Sequence, residues 1–265
     1  VTENLSPSSV HAAYGAGDLA ELSVFAGGFI NFGYWAGLPA DGPPTLDHRI
    51  ASGIALYDLV LDEISPGDRV VEVGCGRGLG ARRALTRAPS SVVGVDVTPE
   101  QVERARSAGT DPRLEFVVGS ADDLPLSDDS SDLLISVEAA QHFADLSAFF
   151  REAARVLVPG GRLVLTTFFA ADDDAGPKLS ALLETFASGL DRAHPISRVP
   201  DQLAAAGFVD VRIRSIGEHV WRGLDRWIAQ GERRDSWDRD WLRAADRGLL
   251  DYHLLTARLP AGSGS

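Results

Sequence analysis

Val70-Val71-Glu72-Val73-Gly74-Cys75-Gly76-Arg77-Gly78-Leu79-Gly80 decides the fold. A β-branched apolar run enters a glycine-dense turn, and the residues beyond it suit a helix. A second apolar run, Ser91-Val92-Val93-Gly94-Val95-Asp96, ends in a lone carboxylate. Glycine has no Cβ, so backbone amides at such a turn can approach a bound molecule closely. A carboxylate at the end of the neighbouring strand can accept both hydrogen bonds of a ribose diol. Together the two segments form a cradle for a nucleoside.

Two cofactor classes use such a cradle. Gly76 to Ala81 fits the loose G-x-G-x-x-G/A pattern of a dinucleotide turn. The longer pattern E-x-G-x-G-x-G, made by Glu72, Gly74, Gly76 and Gly78, resembles the class I S-adenosylmethionine (SAM) methyltransferases. Three later stretches extend the resemblance: Gly119-Ser120-Ala121-Asp122-Asp123-Leu124-Pro125-Leu126, Ser131 to Ser136, and Val156-Leu157-Val158-Pro159-Gly160-Gly161-Arg162-Leu163-Val164-Leu165. They follow the family's order over roughly residues 30 to 215, in its small-molecule, natural-product branch. A nicotinamide-dependent oxidoreductase would leave the stretches at 119–126 and 156–165 unexplained.

The resemblance implies an α/β fold with a Rossmann-like seven-stranded sheet, a helical N-terminal cap and lid insertions, with SAM as cofactor. It places Gly74, Cys75, Gly76 and Gly78 at the methionine and ribose, with Glu72 before them, and Asp96 on the ribose hydroxyls. Val97 would cover one adenine face and Gln101 would reach the ribose or adenine side. Ser120, Ala121 and Asp122 would stand at the adenine edge, and Val137 beyond strand four. Many relatives carry aspartate at the position of Ser120, which leaves Asp122 as a substitute or as a surface residue. By itself Cys75 reads as a small buried packing residue, not a nucleophile. Phe29 to Trp35 resembles a segment that covers the cofactor, with Tyr34 near its methyl or carboxylate end; the alternative is a hydrophobic clasp between cap and core.

Periodicity supports the same architecture. Helices are expected over 8–27, from Thr45 onward, and at 79–88, 99–108, 145–157, 178–190 and 199–206. Strands are expected at 69–74, 91–96, 113–118, 131–136, 162–169, 208–216 and 250–259. Alternation on this spacing predicts a parallel sheet covered on both faces. Residues 1–64 form the cap, 65–259 the core with insertions at 170–198 and 221–248, and 260–265 a tail. The tryptophan-rich stretch 221–248 matches no familiar pattern.

Methyl transfer from a sulfonium needs positioning, desolvation and, for a hydroxyl acceptor, a base. Val137-Glu138-Ala139-Ala140-Gln141-His142-Phe143 follows strand four, where ligands gather beyond strand carboxyl ends. His142 aligns with a base proposed in related O-methyltransferases, and Glu138 resembles a glutamate of C-methylating sterol enzymes. This stretch therefore leaves O-, N- and C-methylation open, as well as a SAM-bound cyclase of the same fold. Phe25, Phe29, Phe143, Phe168 and Phe169 are the candidate walls of an acceptor cavity.

Composition narrows the partners. The 265 residues carry a formal charge of −13 with Lys178 the only lysine, a surface that repels nucleic-acid phosphates. The six histidines show no metal-ligand spacing, so no metal is expected. No apolar run reaches the roughly 18 residues of a membrane span. The single cysteine permits no internal disulfide and suits a reducing cytoplasm. A small-molecule acceptor is expected, and monomer and homo-oligomer are both compatible with the sequence.

Overall fold

A computed structural model describes residues 10, 12–16 and 22–262. Its centre is a seven-stranded sheet: β1 (Arg69–Val73), β2 (Ser91–Asp96), β3 (Leu114–Val118), β4 (Ser131–Val137), β5 (Leu157–Ala170), β6 (Val209–Ser215) and β7 (Leu250–Arg258). The spatial order is β3-β2-β1-β4-β5-β7-β6. Strands β1 to β5 pair in parallel, while β7 runs antiparallel between β5 and β6. The order reverses between β1 and β4, which opens a crevice at their carboxyl ends.

Nine helices flank the sheet among the described residues: α1 (Leu46–Leu61), α2 (Leu79–Ala84), α3 (Pro99–Ser107), α4 (Leu146–Val156), α5 (Ala175–Ser180), α6 (Glu184–Ala187), α7 (Val199–Ala205), α8 (Trp221–Ile228) and α9 (Asp240–Asp246). Local chemistry sets several boundaries. Thr45 caps α1 through the His48 amide, and the His48 ring answers the Thr45 amide, forming a capping box. Asp145 caps α4 by accepting from the Ser147 and Ala148 amides. Pro99 starts α3 at a position where no amide donor is needed.

The sheet separates two apolar layers. Leu56, Val60 and Leu61 of α1 pack with Val70, Val92, Leu133 and Val164 on one face. Phe149, Phe150 and Val156 of α4 pack with Val71, Leu134 and Leu165 on the other. The expected helix over 178–190 is two short pieces, α5 and α6. Of the expected helix over 8–27, the described residues show a wide turn at Ala12–Ala16 and a tight one at Ser23–Phe25. Val10 is helical, while residues 8, 9, 11 and 17–21, and residues 263–265 of the tail, lie outside the described residues.

The tryptophan-rich segment has a structural role. Trp221 and Trp241 stack with ring centroids 6.0 Å apart, and Phe32, Phe168 and Phe186 surround Trp241. Trp35 of the cap lies against Gly223 of α8, so closely that a Cβ at 223 would fall 2.1 Å from the indole. Among the described residues no helix is long and apolar enough to cross a membrane.

Candidate active site

The glycine turn is built as its sequence demands. Gly74 and Gly76 have φ of +78° and +51°, a region that disfavours a side chain. A Cβ on Gly74 would lie 2.2 Å from Ala139 Cβ, whereas beside Gly76 there is only open space. Asp96 Oδ2 accepts from the Gly76 amide at 2.8 Å, and Oδ1 from the Thr98 amide at 2.9 Å. Burial raises the Asp96 pKa above the usual carboxylate value, while these two amides oppose the rise. The carboxylate therefore pins the turn and keeps further lone pairs for a ligand's hydroxyls.

A cavity of about 480 Å³ opens over this turn, within the ordinary size of a ligand pocket. Its wall includes Gly74, Cys75, Gly76, Asp96 and Val97 from the first two strand ends, and Ser120, Ala121 and Asp122 from the third. Val137, Glu138, His142 and Phe143 come from the fourth, and Phe29 from the cap. Val97 is an apolar side chain left 43% exposed beside Asp96, a surface suited to a flat base. The Ser120 hydroxyl donates to Asp122. Turn, carboxylate and apolar shelf fit a nucleoside cofactor with an extended amino-acid arm.

Seven of the sequence candidates stand elsewhere. Glu72 is fully buried behind the turn with Tyr57, and burial pushes its pKa up to about 8. Gly78 starts α2 against Phe116 and Ala105; its missing Cβ serves helix packing. The Gln101 side chain donates to the Tyr14 carbonyl at 2.8 Å and is spent holding that segment. Tyr34 packs edge-on against His219 with centroids 5.2 Å apart, which is the clasp reading. Phe25 joins Val24, Leu224 and Ile228 in a satellite cluster. Phe168 and Phe169 are neighbours on β5, so they point to opposite faces: Phe168 enters the tryptophan cluster and Phe169 packs near His253. Cys75 lines the cavity, yet its sulfur would meet a Cβ on Gly94 at 2.9 Å, and burial raises the thiol pKa.

The acid–base groups cluster beyond β4. Glu138 has φ +50°, the left-handed region, which turns the chain sharply into the cavity wall. Its Oε2 accepts from the Phe32 amide at 2.6 Å and the Tyr252 hydroxyl at 3.0 Å. Burial pushes its pKa up to about 8 against those bonds, so the group is largely protonated at neutral pH. His142 Nδ1 lies 3.0 Å from Asp191 Oδ1 and 3.1 Å from the Leu190 carbonyl. Burial pulls the imidazole pKa down, but the Asp191 carboxylate and the Leu190 carbonyl outweigh it, and the net shift is upward. Nε2 lies 2.8 Å from the Tyr14 hydroxyl.

Asp191 and Tyr14 carried no signal in the sequence reading. Asp191 follows α6 in an insertion whose sequence suggested only a lid. Tyr14 belongs to the wide turn Ala12–Ala16, tied to α3 by Gln101 at the Tyr14 carbonyl and by Arg104 at the Tyr14 and Gly15 carbonyls. Both residues reach His142 only through the tertiary fold.

Comparison with known proteins agrees with this geometry. Residues 71–165 match the family described as methyltransferase domain. The erythromycin 3''-O-methyltransferase of Saccharopolyspora erythraea is 36% identical over 222 residues, covering 76% of this chain and 69% of the relative. A geranyl diphosphate C-methyltransferase from Streptomyces coelicolor, solved with its substrate and S-adenosyl-L-homocysteine, shares the fold with a TM-score of 0.79 at 17% identity, covering 96% of this chain and 98% of that one. The [4+2]-cyclase SpnF matches with a TM-score of 0.67 at 25% identity, over 88% of each chain. The chain belongs to the SAM-dependent methyltransferases of the class I, Rossmann-like fold. It is an enzyme that uses S-adenosyl-L-methionine to methylate small molecules.

Proposed function

We propose that the enzyme methylates a hydroxyl oxygen of a small, largely apolar acceptor in cytoplasmic natural-product biosynthesis, with His142 as general base. The carrying observation is the contact at His142: Nε2 already holds a hydroxyl, that of Tyr14, at 2.8 Å. An acceptor hydroxyl in the same place would make the same bond. The Leu190 carbonyl accepts the Nδ1 proton beside the Asp191 carboxylate, so the Nε2 lone pair faces the hydroxyl, with the Gln141 side-chain amide 3.3 Å away.

When bound, S-adenosyl-L-methionine supplies a methyl group on a positively charged sulfur. Asp96 would hold its ribose hydroxyls, Val97 its base, and the Gly74–Gly76 turn its amino-acid arm. His142 would take the hydroxyl proton onto Nε2 as the oxygen gains the methyl group, a role worth about 10²–10⁴-fold in rate. Charge develops on the imidazole, and Asp191 stabilises it.

A second reading is supported by Glu138 and by the likeness to SpnF. A largely protonated carboxyl in the cavity wall can donate a hydrogen bond to a reacting carbonyl, as a cyclisation would require. Incubation with methyl-labelled SAM and a metabolite extract, read by high-resolution mass spectrometry, separates the readings. A product labelled on oxygen supports the proposal. A product labelled on carbon or nitrogen, or conversion without label, overturns it.

A further inference from the structure

Arg192 has no use in the chemistry described so far, yet it lines the cavity. It is only partly exposed. Among the described residues, every other arginine that is not exposed has an interaction partner: Arg83 with Asp58, Arg162 with Asp68, Arg155 with Glu152, and buried Arg49 with the Val24 and Asn31 carbonyls, for example. The Arg192 guanidinium alone is not engaged. The acids nearest in sequence and in the wall are committed elsewhere. Asp191 lies against His142 Nδ1, Asp145 Oδ1 accepts the Ser147 and Ala148 amides, and the Arg192 charge falls on His194, whose pKa it helps lower.

Position assigns the free cation to the acceptor end. The Arg192 amide donates to the Gln141 carbonyl at 2.9 Å, joining it to the turn Ala140–His142 that carries the base. On the cofactor side, the cation at the wall is Arg77 of the glycine turn. A partly buried guanidinium without a partner lacks hydrogen bonds that water would supply, and an anion restores them together with charge. Its planar fork matches the two oxygens of a carboxylate or phosphate. In a chain of net charge −13, an arginine in the cavity wall without an acidic partner stands out among the wall's own acids, Asp96, Asp122, Glu138 and Asp145.

We propose that Arg192 selects acceptors bearing an oxyanion, a carboxylate or a phosphate, and orients them by a bidentate pair next to His142. The acceptor is then amphiphilic: an apolar body against Phe29 and Phe143, with an anionic group at Arg192. This rests on the reading of the cavity as an acceptor site.

Binding, rather than turnover, tests it. The protein saturated with S-adenosylhomocysteine is titrated calorimetrically with decanoate, decyl phosphate and decanol. Wild type is expected to bind at least one of the anions ten or more times more tightly than the alcohol. Arg192→Gln should abolish that preference and Arg192→Lys should keep most of it, both leaving S-adenosylhomocysteine affinity within about twofold of wild type. Equal or undetectable affinity for all three probes, or a preference that survives in Arg192→Gln, overturns the proposal. So does a tenfold loss of S-adenosylhomocysteine affinity in that variant, which would assign Arg192 to the cofactor's own carboxylate. The label experiment above fails or succeeds independently of these outcomes.

Discussion

Asp96 and Asp191 show two ways for a carboxylate to matter. Asp96 is legible in sequence because the strand before it is uninterrupted and the glycine turn fixes its neighbour. Its bonds to the Gly76 and Thr98 amides mean that removing it unpins the turn as well as losing a ligand contact. Asp96→Ala should therefore weaken S-adenosylhomocysteine binding at least tenfold by calorimetry; an unchanged dissociation constant would remove it from the cradle. Asp191 was invisible because nothing local marks it: its backbone amide bonds the Thr185 carbonyl, and only the insertion's path carries it to His142. Its charge raises the His142 pKa, and a base works only when neutral, so the rate rises with pH through that pKa. In Asp191→Asn the raising influence is lost: the acidic limb of the kcat profile should move to lower pH, while kcat at the plateau falls about tenfold or more. A loss of kcat with the limb unmoved would make Asp191 merely structural.

At the scale of elements, the strands were the most readable part. β2 runs from Ser91 to Asp96, the whole of the valine-rich stretch, and Pro99 and Asp145 mark the starts of α3 and α4, the one by needing no amide partner and the other by capping two amides. The cap was the least readable. The alanine- and glycine-containing segment around Tyr14 makes a wide turn whose carbonyls depend on Gln101 and Arg104, partners that no periodicity reveals. The error over Phe168 and Phe169 is of another kind: the two-residue period of a strand forbids both from facing one cavity. Val10 and the turn residue Tyr14 help wall the cavity, so this segment is expected to retain a bound cofactor. Deleting residues 1–16 should speed S-adenosylhomocysteine release at least tenfold in stopped-flow experiments. An unaltered off-rate would show that the turn does not retain the cofactor.

Over the whole molecule, buried acids make stability depend on pH. Glu72 holds its proton up to about pH 8 when folded, against a usual value near 4.5. Its contribution is complete below about pH 4.5 and is lost as pH rises through about 8, because the unfolded chain releases the proton first. Glu72→Gln keeps the shape without the titration. Its melting temperature relative to wild type should climb between pH 5 and pH 8.5, by an amount corresponding to a few kcal/mol at most. A constant difference would mean that the Glu72 carboxyl does not change its charge on folding in this range.

Trp35 on the bare backbone of Gly223 has a consequence for how such chains diverge. The indole occupies the volume of a side chain that α8 lacks, and the Trp35 amide is bonded to the His219 carbonyl just before that helix. Neither position can drift alone. A relative that acquires even a methyl group at 223 has to shrink the residue at 35, and one that loses the indole leaves a hole that a larger residue at 223 can fill. The two positions are expected to vary together wherever the cap and this helix are retained together, which a comparison of related sequences at 35 and 223 would check.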